Sequence, residues 1–166
     1  MRGLDLLESL PYVKKGSFVA IGHSLGGHNG VYTAAFDQRI KLVVSSCGLD
    51  SFRDYMDGNI RGWTSDRYMP KLLDYPLDKL PFDFPDVIAS IAPRGVFISA
   101  PTGDTNFKWR SAARVVAEAR PVFALFGAEG KLVIEHPETG HVFSREMREK
   151  AYELIVREFG DPSSRR

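Results

Sequence analysis

The chain has 166 residues, 43% hydrophobic and 26% charged, enough for one globular domain with a substantial core. Its 22 basic and 21 acidic residues leave a formal net charge of +1, which excludes an electrostatic case for nucleic acid or an anionic membrane as partner. Cys47 is the single cysteine, so an internal disulfide is excluded, and no stretch approaches the roughly 20 apolar residues of a membrane span.

The N-terminal "MRGLDLLESLPYVKKG" carries leucines at 4, 6, 7 and 10, a helical spacing that Pro11 ends. It lacks the apolar core of a signal peptide, so a cytoplasmic location is the expectation. "SFVAIG" (17–22) is short, apolar and bounded by glycines, the pattern of a buried strand. A helix follows over 25–36, then a second strand, "IKLVVSS", over 40–46. From 47 to 83 no period holds, and an irregular, lid-like insertion is expected there. A short helix over 84–93 leads to strand "GVFISA" (95–100). Helix 106–119 comes next, with Pro121 expected to open a separate short helix through Phe126. "KLVIEH" (131–136) is a fourth strand. Residues 144–159 form an amphipathic helix with Ser144 as N-cap and Met147, Ala151, Leu154, Ile155 and Phe159 on one face. Arg165 and Arg166 form a charged tail.

Near-continuous apolar strands alternating with helices predict an α/β protein: a three-layer α/β/α sandwich on a mostly parallel sheet of about four strands. Residues 1–166 then form a single domain. In such sheets the chemistry sits beyond the carboxyl ends of the strands. The loops after Gly22, Ala100 and His136 are the places to look.

The first of these loops reads Gly22-His23-Ser24-Leu25-Gly26, a G-x-S-x-G phrase between strand and helix. A serine on such a tight turn is lifted clear of the sheet. Glycines two before and two after are expected to remove clashing side chains. The Leu25 amide, at a helix N-terminus, is placed to meet a developing oxyanion. A serine hydroxyl needs a base to become a nucleophile. His23 lies within the turn and His28 on the following helix. His141, in "PETGHVF" beside Gly140, has reach and freedom to orient, with His136 as the fallback. A carboxylate must fix the imidazole, and Asp104 in "SAPTGDTNF" follows the third strand. Asp50, after the second strand, is the competing acid. Asp104 also suits an ordinary turn aspartate.

The phrases "GHSLGGHNGVYTAAFDQRI", "APTGDTNF" and "TGHVFSREMREKAYELI" together resemble the α/β-hydrolase superfamily. They are most similar to its dienelactone-hydrolase-like and acetyl xylan esterase-like branch, which borders prolyl-oligopeptidase-type peptidases. The resemblance implies Ser24 as nucleophile, Asp104 as acid and His141 as base, with no metal or other cofactor. Dienelactone hydrolases carry cysteine at the turn. Here Cys47 lies elsewhere and reads as a small buried apolar residue.

Against the superfamily's usual eight strands, residues 1–16 resemble the helix before the fifth. Strands one to four have no counterpart, nor has the loop that supplies a second oxyanion amide. The expectation is a truncated α/β-hydrolase fold whose strand 17–22 is an open edge. That edge predicts a homo-oligomer or pairing with a complementary chain. The insertion offers Arg61, Trp63, Arg67 and Tyr68 as candidates for a substrate wall, and Trp109 beside Asp104 is another.

The reading that follows is a serine esterase for short-chain esters, with acetyl esters suggested by the resemblance, working through an acyl-enzyme. Its rival is a non-catalytic half-domain acting as a binding or assembly module. A prolyl-oligopeptidase-type peptidase stands third, because amide cleavage makes the heaviest demand on the oxyanion hole.

Overall fold

A computed structural model describes residues 1–160, so the expected Arg165–Arg166 tail lies outside the described residues. Four strands, β1 (Phe18–His23), β2 (Ile40–Ser46), β3 (Gly95–Ser99) and β4 (Leu132–Glu135), form one parallel sheet in the order β1-β2-β3-β4. Five helices accompany them: α1 (Arg2–Ser9), α2 (Leu25–Phe36), α3 (Phe84–Ala89), α4 (Trp109–Leu125) and α5 (Arg145–Phe159).

The layers follow from the two-residue period of a strand. Val43, Val96 and Ile98 face the cluster built with α2, α3 and α4. Their chain neighbours Leu42, Val44 and Phe97 face Met147 and Ala151 of α5 on the other side. With both faces covered, the strands need no polar alternation, which is why they read as continuous apolar runs. All four strands point the same way, so every strand-end loop opens on one edge of the sheet. β1 lies at the margin of the sheet and pairs, among the described residues, with β2 alone.

Local signals account for several boundaries. The Ser144 hydroxyl accepts the Met147 N–H and starts α5. Asp83 and Asp86 form a reciprocal capping box at α3. Arg94 closes the far end of α2, donating from Nη1 to the carbonyls of Ala34 at 2.6 Å, Asp37 at 3.2 Å and Ile40 at 2.9 Å. Carbonyls left over at a helix C-terminus favour such a cation. α1 buries no residue of its own and is tied down by Arg39, which bridges Asp5, Glu8 and Asp37 at 2.6–3.0 Å.

One expectation needs correction. Pro121 does not open a new helix, since α4 runs unbroken from Trp109 to Leu125 with Pro121 inside it. Proline removes the N–H that would bond the Ala117 carbonyl. Both residues are solvent-exposed, so water can satisfy that carbonyl. The segment 47–83 contains four short 3-10 turns, Tyr55–Gly58, Ile60–Gly62, Pro70–Asp74 and Leu77–Lys79. It also drives Leu49, Phe52, Ile60, Trp63 and Leu72 into the main core. These five side chains anchor the segment to the core, while most of its other residues stay exposed.

Candidate active site

β1 runs into α2 through Ser24, whose backbone has φ 53° and ψ −122°. A non-glycine residue in that region costs roughly 1–3 kcal/mol and needs its surroundings to enforce it. Here the Ser24 N–H donates to the Ser46 carbonyl at 2.7 Å, and the Ser24 carbonyl accepts the His28 N–H at 3.0 Å. Close packing adds a second constraint. A Cβ on Gly22 would lie 2.3 Å from the Gly26 carbonyl group, and one on Gly27 would lie 2.8 Å from Ser45 Oγ. The expected role of Gly26 needs correction: a Cβ there meets nothing within 4 Å. The steric demand of the turn falls on Gly22 and Gly27.

Ser24 Oγ stands 2.9 Å from His141 Nε2. On the other side of the ring, His141 Nδ1 lies 3.1 Å and 3.0 Å from the two oxygens of Asp104. Asp104 Oδ1 also accepts the backbone N–H groups of Asn106 at 2.8 Å and Phe107 at 3.2 Å. The carboxylate is therefore oriented from within its own loop. That loop is stitched to the one bearing His141, because Thr102 N–H donates to Pro137 and Gly103 N–H to Thr139, both at 3.0 Å. The Asp104 side chain is 1% exposed and the His141 side chain 23% exposed. The imidazole thus joins a buried anion to an accessible hydroxyl. Its ring is flanked by His23, with centroids 4.9 Å apart, and by Phe107 at 5.8 Å. Burial, and then the nearby His141, lower the His23 pKa. A ring held with Nδ1–H toward the carboxylate presents its Nε2 lone pair to Ser24. This arrangement can move a proton from Oγ to Nε2 and stabilise the imidazolium that results.

The Leu25 amide occupies the first position of α2, where helical geometry supplies no acceptor. It lies beside Ser24 at the positive end of the helix. The Ser24 amide is already committed to Ser46.

The remaining candidates fall elsewhere. His136 Nδ1 bonds the Ala100 carbonyl at 2.8 Å, which ties the fallback base to backbone. Asp50 is fully buried, with Oδ2 accepting the Lys108 N–H at 3.1 Å, and burial raises its pKa. Trp63 does not belong to an open substrate wall: it is 5% exposed, and its ring stacks on His28 at 4.3 Å. Trp109 packs on His136 at 5.0 Å, under the Arg110 guanidinium. Tyr68 is exposed and borders a groove with Met69, Leu72, Tyr75 and Phe82. Arg61 and Arg67 are exposed as well.

One neighbour of the site was not anticipated from the sequence. Cys47 is buried, but its thiol sits against the Asp104–His141 pair, and burial pushes its pKa up to about 12. The available signal was positional, since Cys47 immediately follows the carboxyl end of β2.

No family model matches the sequence, and no curated protein does. Solved structures do. A glucuronoyl esterase from Solibacter usitatus superposes with a TM-score of 0.77 at 22% identity, over 96% of this chain and 47% of that one. A carbohydrate esterase family 15 glucuronoyl esterase from Caldicellulosiruptor kristjansonii gives 0.78 at 20% identity, over 95% and 48%. An esterase from Pyrococcus furiosus gives 0.63 at 18% identity, over 93% and 58%. The chain has the α/β-hydrolase fold of these esterases over the part it spans, which is about half the length of the structures it matches.

Proposed function

We propose that this chain carries the working residues of a serine carboxylic-ester hydrolase. The observation that carries the reading is the continuous hydrogen-bonded line Ser24–His141–Asp104 on a strained turn. In the proposed reaction, Ser24 Oγ attacks the ester carbonyl as its proton passes to His141 Nε2. Asp104 stabilises the imidazolium, and Leu25 N–H meets the oxyanion. Collapse expels the alcohol, which takes the proton from His141, and leaves an acyl-serine. Water, activated by His141, then releases the acid and restores Ser24.

Short acyl esters are the favoured substrates, because one identified oxyanion donor suits reactive esters better than amides. Removing one such donor typically costs about 100- to 1000-fold. The names of the structural neighbours extend the substrate panel to esters of uronic acids. Wild-type protein is expected to turn over p-nitrophenyl acetate, and Ser24→Ala is expected to lose that turnover. Equal rates for the two proteins would overturn the reading.

A second reading is an assembly or binding module. It is favoured by β1, which pairs with β2 alone among the described residues and exposes Ile21. Under it, β1 would take a strand from another copy or from a complementary chain.

A further inference from the structure

We propose that Cys47, Asp104 and His141, with the Val142 carbonyl, form an inhibitory site for Zn²⁺. Cys47 Sγ, an Asp104 carboxylate oxygen and a ring nitrogen of His141 all lie within 4.8 Å of one another. His141 Nδ1 is 3.0 Å from Asp104 Oδ2, and Cys47 Sγ is 3.8 Å from the Val142 carbonyl oxygen. A tetrahedral zinc, with Zn–S near 2.3 Å and Zn–N or Zn–O near 2.0–2.2 Å, needs donor separations of roughly 3.3–3.8 Å. The 3.0 Å and 3.8 Å separations lie at or near that range, and the other distances among the three side-chain donors do not exceed 4.8 Å.

The donors also match the metal. Thiolate, imidazole and carboxylate together suit zinc, whereas calcium and magnesium take oxygen ligands. Three chain segments supply them: the ends of β2 and β3 and the loop before α5. Their convergence is set by the fold rather than by one flexible stretch.

Binding releases one proton to solvent, from the Cys47 thiol, while Asp104 binds as the carboxylate. With zinc on Nδ1, the single proton of the neutral imidazole moves, by exchange with solvent, from Nδ1 to Nε2. The nitrogen facing Ser24 Oγ then has no lone pair to accept the serine proton. The ion would thus switch off the triad by reversing the tautomer, without touching Ser24. This inhibitory effect rests on the esterase reading, whereas binding of the ion does not.

The test separates the two. Zn²⁺ binding is measured by competition with a chromogenic zinc indicator on Ser24→Ala, which needs no activity. One ion per chain is expected. Adding Cys47→Ala should weaken binding by at least about 100-fold, the upper range for loss of even an outer-shell partner. Co²⁺ added to the wild-type chain should give a thiolate-to-metal charge-transfer band, a readout that needs no variant. Binding unaffected by Cys47→Ala, no binding at all, or Co²⁺ binding without that band would each overturn the site. If the wild type hydrolyses p-nitrophenyl acetate, one equivalent of Zn²⁺ should abolish the rate and a chelator should restore it. Cys47→Ala should keep most of its own metal-free rate under the same addition. Inhibition that is equal in both proteins would overturn the proposed mode of action.

Discussion

Asp104→Asn should lower kcat for p-nitrophenyl acetate by about 10,000-fold while the protein stays folded. The carboxamide oxygen can still accept the Asn106 and Phe107 N–H groups, so the loop keeps its shape. Its NH₂ group, however, would face His141 Nδ1 as a donor. The imidazole must then accept at Nδ1 and carry its proton on Nε2, toward Ser24. A base with a proton already in place cannot take another. The effect should therefore appear in kcat with little change in KM, since nothing in the change touches bound ester. Asp50→Asn is the matched comparison. Asp50 contacts the Lys108 amide, and no contact joins it to His141, so most of the rate should survive. A large loss with Asp50→Asn and a small one with Asp104→Asn would exchange the roles assigned to the two acids.

The second large effect concerns stability. His28 is buried against Trp63, Tyr32 and Phe84, and burial lowers its pKa from 6.5 to about 4. The unfolded chain takes up that proton near the ordinary value, whereas the folded chain resists until about 4. The unfolded state thus binds more protons between these values, and stability falls as pH falls. The contribution is fully present above about pH 6.5 and lost as the pH drops toward 4, a change of about 3 kcal/mol. His28→Phe keeps a ring on Trp63 and removes the titration. Urea midpoints near pH 7 and pH 4 should converge for the variant relative to wild type. Carboxylates elsewhere act on both proteins equally, so their contribution cancels in the comparison. Parallel losses in the two proteins would contradict the assignment.

Much of this was legible in the sequence, for reasons that are local. β2 and β3 read as strands because both their faces are covered, and Ser144 announces α5 because a cap bonds its own helix. The order Ser24, Asp104, His141 was readable because each residue follows the end of a strand, and parallel strands end on one edge. The unreadable parts depend on direction and contact. Asp50 also follows a strand end, but only the folded chain shows that it turns to Lys108. Trp63 carries no periodic signal, because segment 47–83 is fitted to the core by irregular turns. The G-x-S-x-G phrase implied that both flanking glycines avoid clashes. Yet Gly22 abuts Gly26 backbone, while Gly26 faces open space and Gly27 meets Ser45. Pro121 read as a helix start because sequence alone cannot show that its orphaned carbonyl reaches solvent. Cys47 read as an apolar filler, since a single cysteine gives no hint of Asp104 and His141, which lie far along the chain.

The central claim is that Ser24 is an activated nucleophile and not a serine merely held in an unusual turn. Covalent labelling by a fluorophosphonate probe, located by peptide mass spectrometry, tests it most directly. The account predicts rapid, single-site labelling at Ser24 in the wild type and its near-complete loss in His141→Ala. No labelling of the folded wild type, or equal labelling of the two proteins, would contradict it.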